Sequence, residues 1–421
     1  MLRKTTKANA NRVNIRLFAI IVSVVLLFAG CQQHKQARAA AKQRWDKASA
    51  QIKLSLAQQQ YDSGRYEQAA KLVNECLNAD PEKAEAHLLM GKLCLAEGSV
   101  RQGSVELELT VQMDPNLAEG WYWYGAALQQ SGRNDEARTS YSEALRFYPT
   151  NVEYILAVAE TGAASDKIEE SIKLLEEKIA VMPRNVSLKV AEADLLCRIQ
   201  KTEQAIELYR QAMFLDTSDE SVAESLGYCY IFEGRWKEAA EIFNELVSKL
   251  DDQAHVDDDS AAGVSRRKLY LETAAYCSMN AGEYDKAVAS YGKLAVEQRD
   301  DAQMWLKMGQ AALGAGMSDR ALRCGQRALS IRSDFADAVS LVGCAQYMSG
   351  AYTDSLESFE QIITDQANGS LAWLMIARCY ERLNQPEKAA SAYSRALEIN
   401  PDSQLGGYLG KNLKVADEHN W

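Results

Sequence analysis

The chain has 421 residues, with 47 basic against 58 acidic side chains and a formal net charge of −11. So acidic a balance excludes a nucleic-acid-binding role built on a basic footprint. Only six prolines and nine cysteines occur, and their placement turns out to matter more than their number.

Residues 1–16 carry Arg3, Lys4, Lys7, Arg12 and Arg16 and no acid, and Leu17 to Gly30 is an apolar run of fourteen residues. That run is too short for a spanning helix, which needs about 20 residues, and a basic segment before a short apolar one reads as a secretory signal over 1–30. It closes on Phe28-Ala29-Gly30-Cys31, which resembles the bacterial lipobox, with Phe28 in the place of the usual aliphatic residue. The resemblance implies that Cys31 receives a diacylglyceryl group and becomes the first residue of the processed chain. Two or more acyl chains hold a protein to a bilayer where one does so only marginally. The rival readings are an uncleaved anchor, opposed by its length, and ordinary secretion cut after Ala37-Arg38-Ala39, opposed by Lys35 and Arg38 ahead of the cut. Gln32, rather than Asp, follows the cysteine, which in a cell with two membranes points to the outer one. The expected location is therefore the cell envelope, facing the periplasm.

With 1–30 removed, 42 basic and 58 acidic residues remain, a net −16. Residues 31–49 form a basic tether, with Lys35, Arg38, Lys42, Arg44 and Lys47 against Asp46, suited to anionic headgroups. Everything beyond it holds 37 basic and 57 acidic residues, a net −20.

Pro81, Pro115, Pro149 and Pro183 are spaced by 34 residues, a period that marks a repeat array. With Ala50 as position 1, position 8 is Gly or Ala in ten units: Ala57, Gly91, Gly125, Ala159, Ala193, Gly227, Ala275, Gly309, Gly343 and Ala377. Position 20 is small in all ten, from Ala69 to Ala389, and position 24 is large and apolar in nine, Gly325 being the exception. Apolar residues recur at helical spacing, as in Trp121, Tyr124 and Leu128, and Gly64, Gly98, Gly132, Gly234, Gly282, Gly316 and Gly350 mark a turn near position 15. Each unit therefore reads as two helices whose close approach requires the small residues, and stacking makes one continuous core. Trp121, Tyr124, Gly125, Ala137, Tyr141, Ala144 and Pro149 of unit three carry a resemblance to the tetratricopeptide repeat family, whose motif is W-x2-L-G-x2-Y…A-x3-F…P. The resemblance covers 50–403. It implies an all-α fold, a right-handed α-solenoid superhelix of about ten helix-turn-helix units: units one to six over 50–249 and units seven to ten over 268–403.

Fourteen extra residues separate Gly227 from Ala275 beyond the period. They place an acidic insertion at 250–267, with Asp251, Asp252, Asp257, Asp258 and Asp259, expected to be a solvated loop. The alternative, a partner- or cation-binding loop, lacks the spaced acidic pattern of a calcium site. Lys178 and Glu192 put charges on core slots of units four and five; either they meet, because a buried charge needs a partner, or both long side chains snorkel to water. Residues 404–421 present Leu405, Tyr408, Leu409 and Leu413 on one face and read as a C-terminal capping helix.

Cys229, Cys277 and Cys379 share position 10, and Cys344 and Cys76 also fall on repeat slots, so the cysteines read as small core residues, with disulfides of an exported chain as the alternative. No C-x-x-C or H-E-x-x-H occurs. Gly406–Asn412 fits a phosphate loop poorly in spacing and final residue. No metal site, cofactor, catalytic residue or small-molecule substrate is indicated, and the reading is of a non-enzyme.

In the resembled family the first helices line a concave face through positions 2, 5, 9, 12 and 13. Carried onto this chain, those positions name Leu54, Leu88, Tyr122, Leu156 and Val190, then Tyr228, Ile231, Phe232, Tyr276, Met279 and Tyr347. The candidate partner-binding groove is Leu54, Leu88, Tyr122, Leu156, Tyr228, Phe232, Tyr276 and Tyr347, and its expected occupant is a protein or peptide segment held by apolar contacts. The alternative for each residue is packing between adjacent helices. The Lys/Asn and Lys/Arg set that grips a peptide carboxylate in some family members is lacking. Two functions follow: a lipid-anchored envelope scaffold or adaptor, or an accessory subunit of a polysaccharide synthesis/export or protein secretion complex.

Overall fold

The computed structural model describes residues 38–217, 219–253, 261–365 and 367–400; these form twenty helices and no strand. The signal segment, Cys31 and the predicted capping helix lie outside the described residues. Two compact bodies divide after Pro183, at the junction of units four and five rather than at the acidic insertion.

The first body contains α1 (38–62), α2 (Tyr66–Ala79), α3 (Ala84–Ala96), α4 (Val100–Met113), α5 (Ala118–Gln130), α6 (Asn134–Phe147), α7 (Val152–Ala164) and α8 (Ile168–Val181). The second contains α9 (Val186–Arg198), α10 (Thr202–Leu215), α11 (Glu220–Phe232), α12 (Trp236–Gln253), α13 (Ala261–Asn280), α14 (Tyr284–Glu297), α15 (Ala302–Gly314), α16 (Ser318–Ile331), α17 (Ala336–Met348), α18 (Tyr352–Glu360), α19 (Gly369–Arg382) and α20 (Pro386–Ile399). Helices α3, α5, α7, α9, α11, α15 and α17 start on position 1 of their 34-residue units. Eight of the ten second helices end at position 30, with the following proline, as in α6, or without it, as in α10, α14 and α16. The proline marks the stop without causing it. Pro386 opens α20, where its missing N–H is an orphan in any case.

One turn joins the two helices of every unit. The N–H of position 16 bonds the carbonyl of position 11, as Arg133 N to Leu128 O at 3.0 Å and Lys201 N to Leu196 O at 2.9 Å, a Schellman closure that needs a left-handed residue between. Seven units supply glycine at position 15, with φ between 69° and 85°; units four, five and ten use Asp166, Gln200 and Asn384 at φ 57°, 61° and 59°. Gln200 has no short polar side chain to ease that conformation. Gln200→Gly is expected to stabilise the second body by about 0.5–1 kcal/mol, the relief of strain exceeding the extra chain entropy of glycine. Urea unfolding checks it, and an unchanged or lower midpoint counts against it.

Position 8 carries the closest helix approach. A methyl on Gly125 would lie 2.8 Å from the Tyr141 ring, on Gly227 2.8 Å from Phe243, and on Gly343 2.7 Å from Phe359. In each case the ring belongs to position 24 of the same unit. Unit eight has Gly325 there, and the next unit fills the gap: a methyl on Gly325 would meet Val342 at 2.6 Å.

Two expectations change. The basic segment from residue 38 is helical and continuous with unit one, because Ala39-Ala40-Ala41-Lys42-Gln43-Arg44 holds only good helix formers. The insertion is not simply a loop: α12 and α13 grow to 18 and 20 residues, so 251–253 and 261–267 are helical and only 254–260 fall outside the description. Arg267 ties the two arms, donating from Nε to Asp251 and from Nη1 to Glu297, both at 2.5 Å, with Lys293 3.6 Å from Asp251. Lys178 is satisfied inside the first body, where its Nζ donates to the carbonyl of Pro149 at 2.9 Å. Glu192 belongs to the second body and is buried there.

Candidate functional site

Each body carries a cleft lined largely by first helices of its units. In the first, a cleft of about 240 Å³ is lined by Leu54, Gln58, Leu88, Lys92, Glu119 and neighbours. Leu54 and Leu88 line this cleft as buried side chains. Leu88 packs with Leu95, Leu107 and Ala127 beneath Trp123 and Tyr124 of the following unit. The mouth is polar, because Lys92 pairs with Glu119 while its Nζ stands 5.1 Å from the centre of the Trp123 ring. Tyr122 is half-buried and stacked on Tyr154, centroids 5.1 Å apart and planes 29° apart, with Tyr141 at 5.4 Å. Leu156 is half-buried as well. In this body position 5 mostly packs helix against helix.

The second body differs. A cleft of about 460 Å³ between α9, α10 and α11 is lined by Cys197, Arg198, Gln200, Thr202, Tyr209, Ser225, Tyr228, Cys229 and Phe232. Tyr228 is 42% exposed and Phe232 67%, although apolar side chains of this size usually seek the interior. Tyr228 is held in place edge-on against the buried Phe243 ring, at 5.3 Å and 65°. Burial, with Glu224 beside it, raises the Tyr228 phenol, which stays neutral at physiological pH. Tyr276 of the next unit is 52% exposed and stands perpendicular to Trp236, at 5.8 Å and 87°. Tyr347 is half-buried, edge-on to Tyr352 at 5.4 Å, and its hydroxyl accepts from Arg382 Nε at 3.3 Å. The structure thus brings Tyr228 and Phe232 into one cleft and gives Tyr276 and Tyr347 their own aromatic supports.

The sequence reading missed those supports. Position 17, just after the turn, is aromatic at Tyr66, Trp236, Tyr284 and Tyr352; Tyr66 and Tyr352 each back a position-12 tyrosine of their own unit, Tyr61 and Tyr347. The recurrence was visible in the sequence. Also missed was the contact between the thiols of Cys197 and Cys229, 3.3 Å apart on the cleft wall.

Stacked two-helix units carrying an apolar cleft define a helical-repeat interaction module. Family profiles give it a name: "Tetratricopeptide repeat" matches 60–120, 118–151 and 190–255, and "Cilia and flagella-associated protein 70 middle TPR-like domain" matches 270–400. The match at 118–151 is unit three in the register read from the sequence. The chain is a tetratricopeptide repeat protein.

Among curated relatives it is 22% identical to Lipopolysaccharide assembly protein B of Escherichia coli (strain K12) over 323 residues, covering 74% of this chain and 76% of that protein. It is also 22% identical to Superkiller complex protein 3 of Mus musculus over 361 residues, 81% of this chain but 20% of that much longer protein. Among solved structures it is similar to Pseudomonas aeruginosa PilF, with 20% identity, a TM-score of 0.41 and coverage of 48% of this chain and 91% of that one. It is likewise similar to PilW, a type IV pilus biogenesis factor, with 18% identity, a TM-score of 0.43 and coverage of 47% and 92%.

Proposed function

We propose that this tetratricopeptide repeat protein is a lipid-anchored scaffold or adaptor of the bacterial cell envelope. It takes no part in catalysis, and its second body grips an apolar segment of a partner protein. The observation that carries the reading is the pair of exposed aromatics, Tyr228 and Phe232, on the wall of a cleft of about 460 Å³. Aromatic side chains in a cleft lose little rotamer freedom on binding and serve as interface anchors. The family's repeats support a protein or peptide as partner, and the acidic array opposes nucleic acid.

The anchor rests on Phe28-Ala29-Gly30-Cys31 alone. Cys31 bears the lipid, and the outer membrane holds it where there are two. Metabolic fatty-acid labelling is expected to mark the wild-type chain and leave Cys31→Ser unlabelled; equal labelling of both removes the anchor from the proposal.

A second reading has support from the likeness to Lipopolysaccharide assembly protein B along most of both chains: an accessory role in a polysaccharide synthesis/export or protein secretion complex. Capture from detergent-solubilised membranes, run side by side with wild type and Phe232→Ala, tests both. Synthase or export subunits lost with the substitution favour the second reading, and other envelope proteins lost with it the first. A capture pattern identical for the two chains overturns the cleft as the binding site.

A further inference from the structure

Cys197 closes α9 on position 12 of unit five, and Cys229 sits on position 10 of unit six, in α11. The two stand side by side on consecutive first helices of the second body, Sγ to Sγ 3.3 Å. The eight described cysteines are all reduced, and most are buried. Cys197 is one of two that are half-exposed, and it lines the cleft together with the buried Cys229.

The geometry points to Cys197 and Cys229 as a reactive dithiol that closes into a disulfide by exchange with a disulfide oxidant, Cys197 attacking and Cys229 resolving. A bond needs the sulfurs at about 2.05 Å, so the pair must close by just over an ångström, within reach of a rotamer adjustment at each side chain. Both sulfurs border the cleft, and Cys197 is the more exposed of the two, so an incoming disulfide meets Cys197 first. Either thiol can donate across this contact; with Cys229 as the donor, the hydrogen bond lowers the Cys197 thiol despite its desolvation and raises that of Cys229, which agrees with this order. The Tyr209 hydroxyl, paired with Asp194, also lies beside Cys197. It is the thiolate that attacks.

The reaction balances without any metal. The Cys197 thiolate attacks one sulfur of the incoming disulfide; that S–S bond breaks, one thiolate leaves and takes up the proton released by Cys197. Cys229 then loses its proton and attacks Cys197 Sγ, the mixed disulfide breaks, and the second thiol departs protonated. Two protein thiols are oxidised by two electrons and one disulfide is reduced to two thiols. The product ties α9 to α11 across the wall that carries Tyr228 and Phe232, so the bond would change the cleft's shape as well as its chemistry.

The full-length chain in detergent, reduced and then titrated with glutathione disulfide, provides the test. Before oxidation, iodoacetamide is expected to alkylate Cys197 about tenfold faster than Cys344, the other half-exposed thiol. On oxidation the wild type should lose two hydrogens, retain no glutathione, and yield a cross-linked peptide joining 197 to 229. Cys229→Ala should stop at the mixed disulfide and keep glutathione on Cys197; Cys197→Ser should form neither adduct nor cross-link. The proposal is overturned by thiols that stay free across the titration, by a first bond elsewhere in the chain, by glutathione retained on wild-type Cys197, or by an adduct on Cys229 in the Cys197→Ser chain.

Discussion

Phe243→Ala is expected to destabilise the second body by about 3–5 kcal/mol, the range for emptying a buried aromatic site. Phe243 is fully buried and sits where three parts of the fold meet. It fills the space left by Gly227 on the facing helix, it stands 5.3 Å from Tyr228 at the cleft, and it lies 5.9 Å from Tyr270 of the following unit. In a repeat array the loss falls on the unit and its interfaces, so hydrogen exchange over α11 to α13 should rise before the rest of the body unfolds in urea. Controls identify the source. Phe243→Leu keeps most of the volume and should cost far less, about 1 kcal/mol. Gly227→Ala alone presses a methyl to 2.8 Å from the ring and should cost about 1–3 kcal/mol. Combined with Phe243→Leu, the alanine gains room, so the double variant should be more stable than the sum of the two by at least about 0.5 kcal/mol. Strict additivity would show that the Gly227 contact is not what Phe243 supplies.

The same contact explains why so much of the fold was readable. A small residue at position 8, one at position 20 and a ring at position 24 meet inside one unit, so their spacing is fixed and repeats. Unit eight shows the rule from its exception: Gly325 removes the ring, and Val342 from the next helix enters the gap. What was not readable depends on two units at once. Leu54 and Leu88 occupy the same slot as Tyr122, and the period cannot say which of them a neighbour will cover. Leu88 belongs to a buried cluster against which Trp123 of unit three packs. The thiol pair is 32 residues apart, close to one period, yet on different positions of the two units, so neither the spacing nor a motif announced it. The insertion was readable as a break in period but not as helix, because its acidic residues suggest solvent. The ties from Arg267 to Asp251 and Glu297 span 16 and 30 residues and appear only once the helices are paired.

Phe232→Ala is expected to weaken binding of the cleft's partner by about 30-fold or more while leaving the fold intact. The first half follows from what an aromatic anchor contributes when a partner covers it, about 2 kcal/mol or more on truncation, which is near 30-fold in affinity. The second follows from its 67% exposure: a side chain that packs on little loses little, and surface changes stay within about 0.5 kcal/mol. Tyr228 does not separate the two effects so cleanly, because it also leans on Phe243, and its truncation should reduce stability as well as affinity. Phe214 supplies the control for general stickiness. It is 87% exposed near the end of α10, a second helix, and it is absent from the cleft lining. If the concave cleft is the docking surface, Phe214→Ala binds as wild type does while Phe232→Ala does not, measured by titration calorimetry with the protein captured from membranes. Equal losses for both would mean that exposed aromatic area, and not the cleft, holds the partner. That outcome would remove the contrast with the first body, whose own cleft is lined by the buried Leu54 and Leu88 and carries the Lys92–Glu119 pair.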